Sequence, residues 1–246
     1  MAATIISRVI GLLYRSPLGE TIGNEGLGYY STASNLYTIL LLISSYSIPM
    51  AVSKIVSERL ALKEYRNAHR VFRGALLYAV IVGGIAALVA FFGGKFLLPY
   101  NQQNAILALR VLAPTIFFSA ILGVLRGYFQ AHSTMMPTSI SQIIEQIFNA
   151  AFSIGAAWFF IQQFATNDTE RAKFGAAGGT LGTGAGVLAG LCFMLLVYGV
   201  NRKSILRKAA KDIRHREESY REIFQVLFLM VTPVIFTTFI YNLSLI

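Results

Sequence analysis

The sequence has little of what a water-soluble protein needs. Only 13% of its 246 residues are charged, against about a quarter in an ordinary soluble domain. Acidic residues are scarcer still, 11 against 21 basic ones. Cysteine occurs once, as Cys192, which excludes a disulfide framework. The three histidines share no ligand spacing, so no metal site is expected. No segment alternates polar and apolar residues between turn signals, which excludes a sheet. The glycine run between Gly175 and Gly186 lacks a Gly-Lys-Ser/Thr ending and a preceding strand, so it is not a phosphate loop. No nucleophile–base arrangement can be assembled, so the chain is not expected to be an enzyme, and no cofactor is implied.

What is present is apolar: 55% of residues are hydrophobic and the mean hydropathy is +0.60. These residues come in blocks rather than core-sized stripes, and about 20 residues of helix cross about 30 Å of hydrocarbon. Seven blocks reach that length, at 1–22, 29–53, 72–98, 105–128, 137–161, 174–200 and 223–246. The fold class expected is an all-α polytopic membrane protein with about seven transmembrane helices. The density of small residues in the sixth block predicts close helix packing.

Basic residues are distributed unevenly between the connectors. With charges near a block's end counted to the adjoining connector, the second and sixth connectors hold six and eight, and the fourth holds Arg126, whereas the odd connectors hold only Lys95, Arg171 and Lys173. By the positive-inside rule the N-terminus and the even connectors face the cytoplasm, and Arg126 reads as one of these topology markers. The same bias accounts for a net charge of +10 without nucleic acid, because these cations meet anionic membrane lipids. In the sixth connector Ile205, Leu206, Ala209 and Ile213 share one side. That pattern reads as a short amphipathic helix on the inner leaflet or as a solvated basic loop. Met1 to Ile5 carries no basic leader or cleavage site, so no signal peptide is expected. Both ends fall within blocks, which predicts one half of a larger protein.

Charge inside a membrane block is costly and marks function or a specific pairing. Arg8, Arg15, Arg110 and Glu145 qualify. Arg8, Gly11 and Arg15 fall on one helix face, a cationic surface suited to a phosphate oxyanion. Pro17 is expected to break that helix by displacing Ser16 from helical geometry; the alternative is that Arg15 snorkels to the outer head groups and Pro17 simply ends the helix. Arg110, near the outer start of the fourth block, reads as a snorkelling residue. In the fifth block Gln142, Glu145, Gln146, Asn149 and Ser153 make one polar stripe, which reads as a cavity wall with interhelical hydrogen bonding as the alternative. Glu145 is expected to pair with Arg8 or to carry a coupling proton. The second block has no charge, but Ser44-Ser45-Tyr46-Ser47-Ile48-Pro49 gives it a polar, kinked inner half.

Several motifs together carry a family resemblance. They are Ser7-Arg8-Val9-Ile10-Gly11, Gly26-Leu27-Gly28-Tyr29-Tyr30, Ser47-Ile48-Pro49-Met50-Ala51, Arg126-Gly127-Tyr128-Phe129-Gln130, Pro137-Thr138 leading into Ser141 to Gln146, and Thr232-Pro233. In order and spacing the chain resembles the polysaccharide-exporter branch of the MOP superfamily, specifically its YtgP and stage V sporulation protein B group of MurJ-like flippases. The resemblance implies two six-helix lobes around a cavity open alternately to each side. Residues 1–200 would form the first lobe, 201–222 a basic cytoplasmic connector and 223–246 the first helix of the second lobe. It also implies a substrate, an undecaprenyl-linked glycan such as lipid II. The implied setting is a bacterial cell membrane, with cell-wall synthesis machinery as partner. Arg8 falls on one of the arginine positions that hold pyrophosphate in MurJ-like proteins, and Arg15 lies one residue from another. Gln142, Glu145, Gln146 and Asn149 would line the sugar path or respond to a coupling ion. The second block lacks the arginine that MurJ relatives place there. A multidrug/cation antiporter of the same fold is the rival reading, disfavoured because the first block's only acid is Glu20 at its outer end. A non-transporting membrane scaffold is the other.

Overall fold

The computed structural model describes residues 2–98, 100–210, 212 and 218–243, with the side chains of residues 2–6, 8, 101, 234, 235 and 237–243 outside the description. Among the described residues the chain is helical with no strand. Its order is α1 (Ala2–Leu13), α2 (Arg15–Ser44), α3 (Ile48–Ala61), α4 (Tyr65–Leu97), a 3-10 turn (Tyr100–Ala105), α5 (Ile106–Ala131), α6 (Met136–Phe164), α7 (Asp168–Ala210) and α8 (Tyr220–Leu243). Among the described residues five stretches are long and apolar enough to cross a membrane, at 9–61, 65–97, 102–131, 136–164 and 168–210. The first covers two of the seven sequence blocks, because the chain reverses at Gly23 within it. Helix α8 stands where the seventh block was expected, so about seven crossings describe the chain.

The reversal falls at Gly23 and not at Pro17. Pro17 sits in the first turn of α2, where a helix has no use for the missing N–H, and Ser16 stays helical beside it. The only irregularity there is Tyr14, which keeps φ −77° and ψ −17° between α1 and α2. Gly23 has φ 73° and ψ 173°, a region open to glycine alone. The two arms of α2 then lie antiparallel, with the Tyr14 and Tyr30 hydroxyls 3.0 Å apart. A Cβ at Gly23 would touch nothing within 4 Å, so Gly23→Ala tests backbone strain alone. It should lower the stability of the detergent-solubilised protein by about 1–3 kcal/mol, read as a fall in thermal unfolding midpoint; an unchanged midpoint would contradict the hairpin. The kink expected in the second block is found at Ser45 to Ser47, between α2 and α3, with Pro49 in the first turn of α3.

Helix α5 is the axis of the bundle, packing against α2, α3, α4 and α7, with buried residues along its length. Two apolar cores stack along it. One gathers Val52, Val56, Phe72, Leu125, Tyr128 and Met194, where the Phe72 and Tyr128 rings lie 4.3 Å apart. The other gathers Leu18, Ile22, Tyr30, Leu109, Leu112 and Ile116. The outside is apolar too: Phe92, Phe96, Trp158, Leu196 and Leu229 are all exposed. On a soluble monomer so much apolar surface is a liability, whereas against lipid it is the matching exterior.

Lipid tails are as apolar as leucine, so helices in a membrane associate through close packing rather than water exclusion. The glycine run supplies it. Gly178, Gly182 and Gly186 recur every four residues on α7 and lie against the backbone of α6. A Cβ on them would fall 2.5 Å from Ala156 O, 2.3 Å from Ser153 N and 2.4 Å from Glu145 O. Helix α7 also runs on to Ala210, ten residues past the apolar block, so residues 201–210 extend α7 instead of forming a loop or a separate surface helix. Ile213 lies outside the described residues. The chain returns to the bundle through Arg59, whose Nη2 lies 2.7 Å from Glu218 Oε1, and through the Glu218 N–H, which donates to Asn67 Oδ1 at 3.3 Å.

Candidate functional site

Helices α5 and α6 form a hairpin through the short turn after Ala131, yet they touch one another little, because α7 packs against both. Together with α1 and the arms of α2 they leave an open cavity of about 630 Å³. Its wall on α6 is the polar stripe seen in the sequence, Gln142, Glu145, Gln146 and Asn149. Spaced along the helix at 1.5 Å per residue, that stripe covers about 10 Å of depth. Facing it are Ser7 and Gly11 of α1, Tyr14 and Arg15 at the start of α2, and Tyr30, Ser34, Tyr37 and Thr38 of its second arm. The bare face of Gly11 lets α1 approach α6, where a Cβ would sit 3.6 Å from Gln146 Oε1.

Arg15, Gln142, Glu145, Gln146 and Asn149 are thus brought together. The remaining sequence candidate, Arg8, has its side chain outside the described residues. Arg15 is exposed to the cavity and makes no ion pair among the described residues. Glu145 finds a partner that the sequence reading missed. Arg126 Nη2 donates to Glu145 Oε2 at 2.7 Å, and Arg126 Nε donates to Ser141 Oγ at 2.9 Å. The Ser141 hydroxyl in turn donates to Thr138 O at 2.8 Å, which fixes the seat of the guanidinium. Arg126 is therefore a cavity residue and not merely a marker of topology. Its side chain is 15% exposed and that of Glu145 21%, so the pair is sheltered but wetted from one side. Arg110, by contrast, is exposed, lies over the Phe91 ring and donates from Nε to Phe91 O at 3.4 Å.

Deeper in, the wall is a web of neutral donors and acceptors. The Tyr14 hydroxyl meets Tyr30, and Asn149 Nδ2 donates to it at 3.5 Å. The Ser153 hydroxyl lies 3.0 Å from Asn149 Oδ1 and 2.8 Å from Gly179 O, and with one proton it donates to one of them at a time. This satisfies the buried end of the stripe internally, so interhelical bonding holds from Asn149 to Ser153. Gln142 and Gln146 are left open to the cavity. With Arg126 and Glu145 cancelling, the described lining carries one net positive charge, on Arg15. The arrangement suits reversible capture of an anion whose remaining surface is rich in hydroxyls and amides.

A family profile described as "Polysaccharide biosynthesis protein" matches residues 1–209. The chain is 26% identical over 243 residues to the lipid II flippase MurJ of Bacillus subtilis (strain 168), covering 95% of this chain and 44% of that protein. It is 26% identical over 251 residues to stage V sporulation protein B of the same organism, covering 99% of this chain and 46% of that protein. The chain therefore spans about half the length of these relatives. Among solved structures, a crystal structure of MATE in complex with Br-NRF superposes with a TM-score of 0.65 at 16% identity, over 99% of this chain and 54% of the other, which speaks to fold alone. A helical, apolar-surfaced bundle of this architecture, matched over most of its length by one family profile, belongs to the polysaccharide biosynthesis protein family of multi-pass membrane proteins, within the MOP superfamily.

Proposed function

We propose that this lobe forms half of a flippase that carries a lipid-linked cell-wall or polysaccharide precursor from the inner to the outer leaflet, with lipid II as the substrate favoured. One observation carries the reading: a membrane cavity whose net charge is positive and whose walls otherwise offer amides and hydroxyls. A prenyl-linked glycan presents a diphosphate followed by sugars, and only that polar head needs to enter, since the tail remains in lipid. Arg15, together with Arg8, would hold the diphosphate, and Gln142 and Gln146 would meet the sugars. The N-terminus would lie in the cytoplasm of a bacterial cell, and rocking of this lobe against a second one would turn the cavity outward, driven by membrane potential or an ion gradient. Cell-wall synthesis machinery would supply the cargo.

The antiporter reading needs a carboxylate free to bind a cation. In the empty cavity Glu145 is paired with Arg126 rather than open to a cation, and Glu20 does not line the cavity. The scaffold reading leaves the polar cavity without a purpose. The test is a proteoliposome assay on the full-length protein with fluorescent lipid II, scored by protection from an external quencher. The label should equilibrate between leaflets. If the label stays where it was placed while an organic cation accumulates under a proton gradient, the flippase reading fails.

A further inference from the structure

We propose that Glu145 is an internal counter-ion which holds Arg126 ready while the cavity is empty and yields it to the anionic group of the cargo, so that Arg126 is itself a substrate-binding residue. The inference rests on the flippase reading and adds to it a residue and an exchange step.

Three features of the pair support it. First, it is only half made. An arginine and a carboxylate at their best form two parallel hydrogen bonds, but here a single Nη2–Oε2 contact joins them. Among the described residues neither Arg126 Nη1 nor Glu145 Oε1 makes a hydrogen bond. A phosphate brings more acceptors than a carboxylate and can engage both Nη atoms at once. Second, the guanidinium is seated independently of Glu145. Ser141 holds Nε at 2.9 Å, so Arg126 keeps its aim when the carboxylate leaves. Third, the pairing keeps Arg126 neutralised until the cargo arrives. An unpaired cation in the empty cavity is costly, and Glu145 removes that cost. The net charge of the lining stays the same through the exchange, but the released guanidinium offers the diphosphate a further fork beside that of Arg15. The freed carboxylate can turn toward the Gln142 amide, one helical turn away.

The pair joins α5 to α6 across the cavity, so a purely architectural salt bridge is the competing account. Three variants of the full-length protein separate the two: Arg126→Gln, Glu145→Gln and the double variant with both glutamines. Each is titrated with a short-chain prenyl diphosphate in detergent and assayed for lipid II exchange, with thermal unfolding as the check on folding. The counter-ion account predicts that Glu145→Gln binds the diphosphate about tenfold more tightly and exchanges lipid II more slowly. It predicts that Arg126→Gln loses about tenfold in affinity, the scale of one charge-assisted hydrogen bond, and that the double variant shows the same loss. An architectural bridge would weaken binding in both single variants and recover it in the neutral double variant, and that result would overturn the proposal. Should wild type bind no prenyl diphosphate at all, the flippase reading fails with it; should wild type bind and only Glu145→Gln depart from expectation, the exchange alone is refuted.

Discussion

Gly182→Leu is expected to prevent this lobe from folding. A Cβ at that position would sit 2.1 Å from Ser153 Oγ and 2.3 Å from Ser153 N, and backbone cannot move aside as a flexible side chain would. Helices α6 and α7 form the most extensive contact in the bundle, and with no hydrophobic drive between helices in lipid their adhesion depends on close approach. Overpacking a tight interior commonly costs about 1–3 kcal/mol, and leucine, which must displace one helix from the other, should exceed that range. Whole proteins have only about 5–15 kcal/mol of stability. The same separation would open the wall between Gly186 and Glu145, so the cavity would go with the fold. Thermal unfolding and monodispersity in detergent are the readouts. Gly155→Ala is the control: Gly155 lies on α6 with nothing within 4 Å of its would-be Cβ, and the change should be neutral or stabilising by up to about 1 kcal/mol. Equal behaviour of the two variants would contradict the packing account.

Arg15→Glu is expected to abolish capture of an anionic headgroup while leaving the fold intact. Arg15 is exposed and makes no hydrogen bond or ion pair among the described residues, so its loss breaks neither. Yet the change reverses the net charge of the described lining from positive to negative. Two charge-assisted hydrogen bonds of about 1.5–3 kcal/mol each are at stake, which corresponds to at least a roughly hundredfold loss of affinity. Arg15→Lys keeps the charge but loses the planar fork, and should fall between, about tenfold weaker than wild type. Titration of the full-length variants with a prenyl diphosphate reads both. Retained affinity in Arg15→Glu would show that the anion sits elsewhere.

Much of the site was legible because helical periodicity is a local property. Gln142, Glu145, Gln146 and Asn149 sit at spacings of three and four, and apolar surroundings make such a stripe conspicuous. Arg15 was visible for the same reason, as a charge inside an apolar block. The place of Arg126 in the cavity was hidden because a lone arginine near a helix end has a general explanation, topology, that masks a particular one. A signal was nevertheless present. Arg126 lies five residues before the end of α5 at Ala131, and Ser141 lies five after the start of α6 at Met136, so a tight hairpin sets them opposite one another. The Tyr14–Tyr30 contact depends likewise on a reversal at Gly23, and assigning the break to Pro17 concealed it. Proline removes a donor, which matters within a helix but not in its first turn. The extension of α7 to Ala210 was obscured by composition: residues after Asn201 turn basic and polar, but alanine, leucine, lysine and arginine all favour helix.

The most direct test of the anion-binding cavity compares two ligands that differ only in charge. The full-length protein would be titrated with a short-chain lipid II analogue and with the same molecule carrying a neutral linkage in place of the pyrophosphate. The account predicts saturable binding of the charged analogue, strongly weakened in Arg15→Glu, and little or no binding of the neutral one. Equal binding of both, indifferent to Arg15, would contradict it and leave the sugars or the lipid tail as the recognised part.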